Sequence, residues 1–303
     1  MPHTVSGKVV LITGAARGIG AETARMLAAR GARLSLVGLE PQRLAALAAE
    51  LGEGHVWCEC DVTDQATLER AVAYTSYKFG GIDVVVANAG IASSGTVAIA
   101  PVEALVRTIE VNLIGVVRTV SATLAHVTAS KGYYLLVSSA AALAPLPGIS
   151  TYAAAKSGVE QFGNALRLEL AHKGVGVGVV HPAWIDTDLV RDQQRDLKSF
   201  NEALRTLPGP FGSVTSVEDC ARAFVRAIEG RRRKTYVPAS LAPLAAVRQL
   251  FASALSEYIL GRHARRLIPQ AEQEIVALGR FFGINSMGLG GKGESGDEGL
   301  KKR

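Results

Sequence analysis

Tyr152 and Lys156 stand four residues apart in the stretch Tyr152-Ala-Ala-Ala-Lys156. On a helix that spacing puts both side chains on one face. A free tyrosine hydroxyl ionises near pH 10 (about 10), too high for an efficient base at neutral pH. A lysine ammonium beside it favours the phenolate and lowers that value. Such a pair can take the hydroxyl proton of an alcohol as hydride leaves carbon, or return a proton to a carbonyl in the reverse direction. Alone, the spacing is common and more often marks an exposed helical pair.

A second stretch with chemical content is TGAARGIG, Thr13 to Gly20, where three glycines fall within seven residues. It follows the apolar run KVVLI and precedes the helix-like AETARMLAARG. A helix start presents unpaired N–H groups and the positive end of its dipole. Glycines let a pyrophosphate approach those groups closely, so a dinucleotide is the expected visitor. The spacing is T-G-x-x-x-G-x-G and not G-x-G-x-x-G, and a purely structural turn is the alternative.

The elements that must position these residues alternate along the chain. Strands are expected at Lys8–Ile12, Arg33–Val37, His55–Cys60, Ile82–Ala89, Tyr133–Ser139, Val175–Val180 and Thr235–Pro238. Ala- and Leu-rich segments with helical spacing, such as Glu22–Arg30 and Gln42–Leu51, lie between them. Near-continuous apolar strands separated by helices imply an α/β, doubly wound parallel sheet covered on both faces. Ligands then bind at the carboxyl ends of the strands. Asp188–Gly212 reads as an excursion from that core, placed to be a lid. After Pro238, residues Leu244, Val247, Phe251, Leu255 and Tyr258 form a helical apolar stripe that must be buried somewhere. Pro269 is expected to break the helix, with a further helix over Ala271–Phe282. The expected organisation is a dinucleotide-binding and catalytic unit over 1–240, a helical extension over 241–284 and a disordered, Gly- and charge-rich tail over 285–303.

The motifs, in their order from roughly Gly7 to Pro238, resemble the short-chain dehydrogenase/reductase family. Tyr152 and Lys156 match its Y-x-x-x-K pair, and Ser139 precedes Tyr152 by the family's spacing. Asn88-Ala89-Gly90 matches the N-A-G after the fourth strand, Asp61-Val62 the pair beside the adenine, and Asn112 the catalytic asparagine. The resemblance implies a Rossmann-like fold with a seven-stranded parallel sheet and an NAD(P)-dependent oxidoreductase. It implies that Ser139 holds the substrate oxygen against Tyr152 and that Asn112 continues a proton relay from Lys156. It implies cofactor contacts from Gly14, Arg17, Gly18, Ile19, Gly20, Gly38, Asp61, Val62, Asn88, Ala89, Gly90, Tyr152 and Lys156. It extends them to Pro182, Ile185 and Thr187, in a segment where Ala183 replaces the usual glycine. His181, at the end of the sixth strand, reads as a packed histidine more readily than as a catalytic one.

The cofactor lean is towards NADP(H) over NAD(H). Gly38 lacks the carboxylate that would bond a ribose and repel a 2′-phosphate, and Leu39 is not the arginine common in NADP-preferring relatives. Arg17 can reach a 2′-phosphate, and Glu40 either points at the ribose or begins the next helix. Leu143, Ala144, Leu146, Pro147 and Trp184 make the substrate side apolar, which suits a hydrophobic alcohol or carbonyl compound. A dinucleotide-sensing regulatory protein without catalysis is the competing class, though it has no need for all four catalytic residues.

Composition sets outer bounds. The chain has 303 residues, 48% hydrophobic and 20% charged, enough for a sizeable core. No apolar run reaches the roughly 18 residues of a membrane span, and the N-terminus does not read as a signal peptide. Three cysteines without a framework suit a reducing, cytoplasmic setting. No His or Cys grouping has metal-ligand spacing, so no metal is expected. The net charge of +6 rests partly on Arg231-Arg232-Arg233-Lys234, read as a solvated turn and not a nucleic-acid patch. Contact of the extension with a membrane surface, through Arg262, Arg265 and Arg266, is a minority reading. A homo-oligomer, dimer or tetramer, is expected.

Overall fold

The computed structural model describes residues 3–207, 209–249 and 253–285. In chain order the elements are β1 (Val9–Thr13), α1 (Gly18–Ala28), β2 (Arg33–Gly38), α2 (Pro41–Leu51), β3 (Val56–Glu59) and α3 (Gln65–Phe79). There follow β4 (Val84–Ala87), α4 (Val102–Ile109), α5 (Gly115–Ala129), β5 (Tyr133–Val137), α6 (Ser150–Glu169), β6 (Gly176–Pro182) and β7 (Trp184–Ile185). The last are α7 (Asp188–Asp196), α8 (Lys198–Thr206), β8 (Val214–Thr215), α9 (Val217–Glu229), β9 (Lys234–Val237), α10 (Leu241–Ala246) and α11 (Ala254–Leu278).

Seven strands form one parallel sheet in the order β3-β2-β1-β4-β5-β6-β9. All seven expected strands are present. The apolar runs are continuous because each strand faces two helical layers. Val10 and Ile12 of β1 enter the core shared with α1, α2 and α9, whereas Val9 and Leu11 enter the one shared with α3, α5 and α6. Each fully buried aliphatic side chain contributes about 1.5–3 kcal/mol, so both faces are strongly specified. The chain winds outward from β1 to β3 and then crosses back to β4. The crevice at the carboxyl ends of β1 and β4 is the topological switch point where such sheets take ligands.

Two expectations about the helices are corrected. Pro269 does not break the extension: α11 runs through it to Leu278. Pro269 and Arg265, four residues before it, both lie on the exposed side, where water can satisfy the freed carbonyl. Nor is the apolar stripe one buried face. Leu244 packs near Leu241 and Ala140, but Val247 is 46% and Tyr258 60% exposed. Helix α10 ends at Ala246, so the later positions do not continue its face. Phe251, the side chain of Leu255 and the tail from residue 286 onward lie outside the described residues. Helices α4 and α5 join through Glu110–Ile114 into one helical span, Val102–Ala129. It packs against α3, α6 and β4 in the core of the sheet assembly.

Candidate active site

The turn between β1 and α1 is shaped by contacts that leave no room for side chains. Gly14 and Gly18 adopt left-handed φ values of +64° and +55°. A Cβ on Gly14 would stand 2.8 Å from Cα of Ala89, and one on Gly20 would stand 2.3 Å from the Gly14 carbonyl oxygen. Gly14, Arg17, Gly18 and Ile19 line the cleft, whereas Gly20 packs the turn from behind. No side chain caps the start of α1, so its first N–H groups are left for an anion. Asn88 braces the turn: its Nδ2 donates to the carbonyls of Thr13 (3.0 Å) and Gly14 (3.1 Å). The Thr13 hydroxyl accepts from the N–H groups of Asn88 (3.0 Å) and Ala89 (3.1 Å). The residues present therefore fit a dinucleotide pyrophosphate.

At the far end of the cleft lie Gly38, Leu39, Glu40, Cys60, Asp61 and Val62. The Asp61 carboxylate accepts from Thr63 N–H (2.8 Å), the Thr63 hydroxyl (2.7 Å) and Arg107 (3.0 Å). Burial opposes its ionisation, but these bonds outweigh burial and hold the carboxyl below its usual range. Arg107 carries no motif in the sequence, and only the packing of α4 brings it to Asp61. Arg17 is held by Glu40 (Nε to Oε2, 3.0 Å) and Asp188 (3.3 Å), while Arg43 also reaches Glu40 (3.3 Å). A further carbonyl, that of Asn285, accepts from Arg17.

Three of the four catalytic candidates, Asn112, Tyr152 and Lys156, line the cleft with Gly90, and Ser139 reaches it through Tyr152 without lining it. Tyr152 and Lys156 lie on α6. Lys156 Nζ donates to the Val137 carbonyl at 2.9 Å, and its own carbonyl accepts from the Ser138 hydroxyl at 2.7 Å. Asn112 sits in a π-helical turn, Glu110–Ile114, between α4 and α5. Its Nδ2 donates to the carbonyls of Ile91 (2.7 Å) and Thr108 (2.8 Å), leaving the buried Oδ1 without a protein partner. A Cβ on Gly90 would stand 2.7 Å from that Oδ1 and 3.5 Å from Lys156 Nζ. The glycine thus keeps the space between amide and ammonium clear. Ser139 lies two residues beyond β5, with its hydroxyl accepting from Ala141 N–H (3.1 Å) and donating weakly to the Pro182 carbonyl (3.4 Å).

Burial pulls the Lys156 ammonium down to about 8. Burial also pushes the Tyr152 phenol up, with the hydrogen bond from Ser139 opposing it. The sequence expectation that Lys156 lowers the Tyr152 value is therefore not met by the protein groups alone. Desolvation of the phenolate outweighs the attraction of a lysine that is itself desolvated.

On the opposite wall, Pro182, Ala183, Ile185 and Thr187 line the cleft with Asp188, Leu189 and Val190 of α7. A Cβ on Gly18 would meet the Thr187 methyl at 3.3 Å, so the two walls touch. Trp184 packs edge-on against Phe200 of α8 at 5.1 Å, and Leu143 is buried beneath the loop that carries Leu146 and Pro147.

His181 is fully buried and stacks on Tyr236, with Nε2 3.5 Å from Glu160 Oε2. It belongs to the packing behind β6. The basic run is likewise engaged with protein: Arg231 donates to the carbonyls of Lys131 (2.8 Å) and Gly174 (3.2 Å), and Lys234 pairs with Glu160 (2.7 Å).

Comparison with known proteins agrees with this geometry. Residues 8–198 match the family model described as short chain dehydrogenase. The chain is 33% identical over 227 residues to cis-4-hydroxycyclohexanecarboxylate dehydrogenase of Sinomonas cyclohexanicum, covering 74% of this chain and 90% of that one. It is 35% identical over 193 residues to 3-oxoacyl-(acyl-carrier-protein) reductase FabG of Escherichia coli K12, covering 62% and 79% respectively. In fold it resembles a short chain dehydrogenase/reductase from Burkholderia phymatum solved in complex with NAD, with a TM-score of 0.72 at 23% identity over 82% of this chain and 94% of that one. The chain belongs to the short-chain dehydrogenase/reductase family, whose members are oxidoreductases acting on CH–OH groups and their carbonyl counterparts.

Proposed function

We propose that this enzyme interconverts a small apolar secondary alcohol and its ketone, or an alcohol and aldehyde, with Tyr152 as the proton-transferring group. The observation that carries the reading is the convergence of Tyr152, Lys156 and Asn112 on one cleft, next to a glycine turn that fits a pyrophosphate. A bound nicotinamide supplies the hydride chemistry. Tyr152, protonated at neutral pH, donates its phenolic proton to the carbonyl oxygen, which Ser139 holds in place. The Lys156 ammonium stabilises the phenolate that remains, and Asn112 Oδ1 accepts from the donor that refills the relay. A non-catalytic sensor of dinucleotides has no use for this arrangement.

We read the cofactor as NAD(H), where the sequence leans towards NADP(H), and the surroundings of Arg17 support that reading. The guanidinium of Arg17 is already balanced by Glu40 and Asp188. A 2′-phosphate placed there meets the Glu40 carboxylate, which suits ribose hydroxyls better. The partly exposed apolar side chains of Leu146 and Trp184 support a hydrophobic substrate, and the hydroxycyclohexanecarboxylate relative supports a compact one. The exposed Leu168 of α6 supports a homo-oligomer built through that helix, and the free cysteines Cys58, Cys60 and Cys220 support a cytoplasmic setting.

The test is a panel of cyclic and short-chain ketones with NADH and NADPH, run in parallel with Tyr152→Phe. Turnover that survives unchanged in Tyr152→Phe would sink the mechanism. Binding of either dinucleotide without turnover of any panel member would favour the sensor.

A further inference from the structure

The relatives of this chain divide between free small molecules and acyl groups carried on a protein. The C-terminal extension bears on that division. Its described residues touch several of the segments that surround the crevice. Near its middle, Ile268 of α11 approaches the loop between β5 and α6, 3.9 Å from the Cβ position of Gly148. Glu274 then accepts from the N–H (3.0 Å) and hydroxyl (2.7 Å) of Ser199 at the start of α8. Beyond α11 the chain meets the loop after β4: Ser94 N–H donates to the Phe281 carbonyl at 2.7 Å, and Ser93 and Phe282 form an antiparallel bridge.

The end of this strap is built into the site. Asp192 of α7 is 1% exposed, and its carboxylate accepts from Asn285 N–H (3.0 Å), Asn285 Nδ2 (2.9 Å) and Arg195 (2.9 Å). The Asn285 carbonyl in turn accepts from Arg17 in the glycine turn. A Cβ on Gly283 would lie 2.4 Å from the Asp192 carboxylate, so only glycine lets the strap pass this close. A buried carboxylate with such partners is costly to open, because opening removes the groups that satisfy it. One covalent segment therefore joins the loop after β4, the loop after β5, both helices of the α7–α8 excursion and the cofactor turn.

We infer that the C-terminal extension is the outer wall of the substrate cleft, so that the enzyme takes free alcohols or carbonyl compounds small enough to be enclosed and rejects acyl groups tethered to a carrier protein. The inference rests on the proposed reaction for its substrate class, while the enclosure itself stands on the strap contacts. A tethered substrate needs a gap in the rim for its arm throughout turnover. Here the strap crosses the rim and ends on Arg17.

The enclosure is tested without any substrate. In a Tyr152→Cys variant, N-ethylmaleimide is compared with a maleimide borne on a carrier protein through a pantetheine arm. Unsubstituted protein reports the background from its own cysteines. The carrier-borne reagent is expected to label roughly 100-fold more slowly, since it must wait for local opening of the rim. Adding Gly283→Val, which drives the strap off Asp192, is expected to remove most of that difference. A chain ending at Leu278 serves as the second variant. Comparable labelling by both reagents in the intact chain overturns the inference. In turnover assays the intact chain should reduce free ketones and not acetoacetyl groups on the carrier, whereas Gly283→Val should gain the latter. If no ketone is reduced by any form, the proposed reaction fails, and the labelling still decides whether the cleft is enclosed.

Discussion

The Lys156 ammonium lies 5.6 Å from the centroid of the Tyr152 ring, one helical turn along α6. Lys156 is buried and Tyr152 half-buried, and desolvation acts on the two groups in opposite directions. It lowers the lysine to about 8 and raises the phenol above its usual 10. At neutral pH the pair is thus an ammonium beside a protonated phenol, the state required for proton donation to a carbonyl. We expect the reduction rate to stay level through neutral pH and to fall as pH passes about 8, where Lys156 loses its proton. Oxidation should rise with pH as Tyr152 ionises. Rate profiles in both directions at saturating cofactor check this, and a reduction rate unaffected by alkaline pH would contradict it.

Replacing Tyr152 by phenylalanine removes the hydroxyl and keeps the ring. The expected loss in kcat is about 10²–10⁴-fold, the usual worth of a positioned acid or base. Dinucleotide affinity, measured by fluorescence titration, should change by less than about threefold, because the glycine turn and Asn88 are untouched.

Asn112 holds two buried carbonyls and keeps its Oδ1 free for the proposed relay. In Asn112→Leu the Ile91 and Thr108 carbonyls lose their donor, at a cost of about 1–3 kcal/mol. A fall in Tm of several degrees should accompany a drop in kcat. Asn112→Asp separates the two effects. It keeps the oxygen while losing the donor, so its activity loss should be smaller than that of the leucine variant.

Glu40 faces two arginines, Arg17 and Arg43. Glu40→Gln leaves both cations free to meet a 2′-phosphate and takes away the repelling charge. The ratio of NADPH to NADH affinity should rise by about tenfold, equivalent to about 1.4 kcal/mol. An unchanged ratio, read by titration with each dinucleotide, would show that Glu40 has no part in the choice.

Glu160 lies four residues beyond Lys156, buried against β6 and β9. Lys234 and Arg248 each donate to it at 2.7 Å. Burial opposes its charge, but the nearness of His181 and the bond from Lys234 outweigh burial and hold the carboxyl well below its usual value. A depressed native value adds stability above the unfolded pKa that is lost as pH falls towards the native one. Glu160→Gln should therefore cost about 2–4 kcal/mol at neutral pH. In denaturant melts the gap between the two proteins should narrow once pH drops below the ordinary carboxyl value of 4.5.

The sequence by itself determined the seven strands and the glycine turn, and it named the four candidates for catalysis. These are local signals: strand runs and helical spacings report which residues are apolar within a few positions, and Tyr152 and Lys156 need only one helical turn to meet. The tertiary structure decided what covers what. Arg17 and Asn285 meet across nearly the whole chain, and Arg107 reaches Asp61 from a helix with no motif to mark it. Pro269 reads as a helix breaker, yet it continues α11 because its side of the helix faces water. The Tyr152 phenol is raised and not lowered because desolvation depends on every segment packed around it, which periodicity along one segment does not encode.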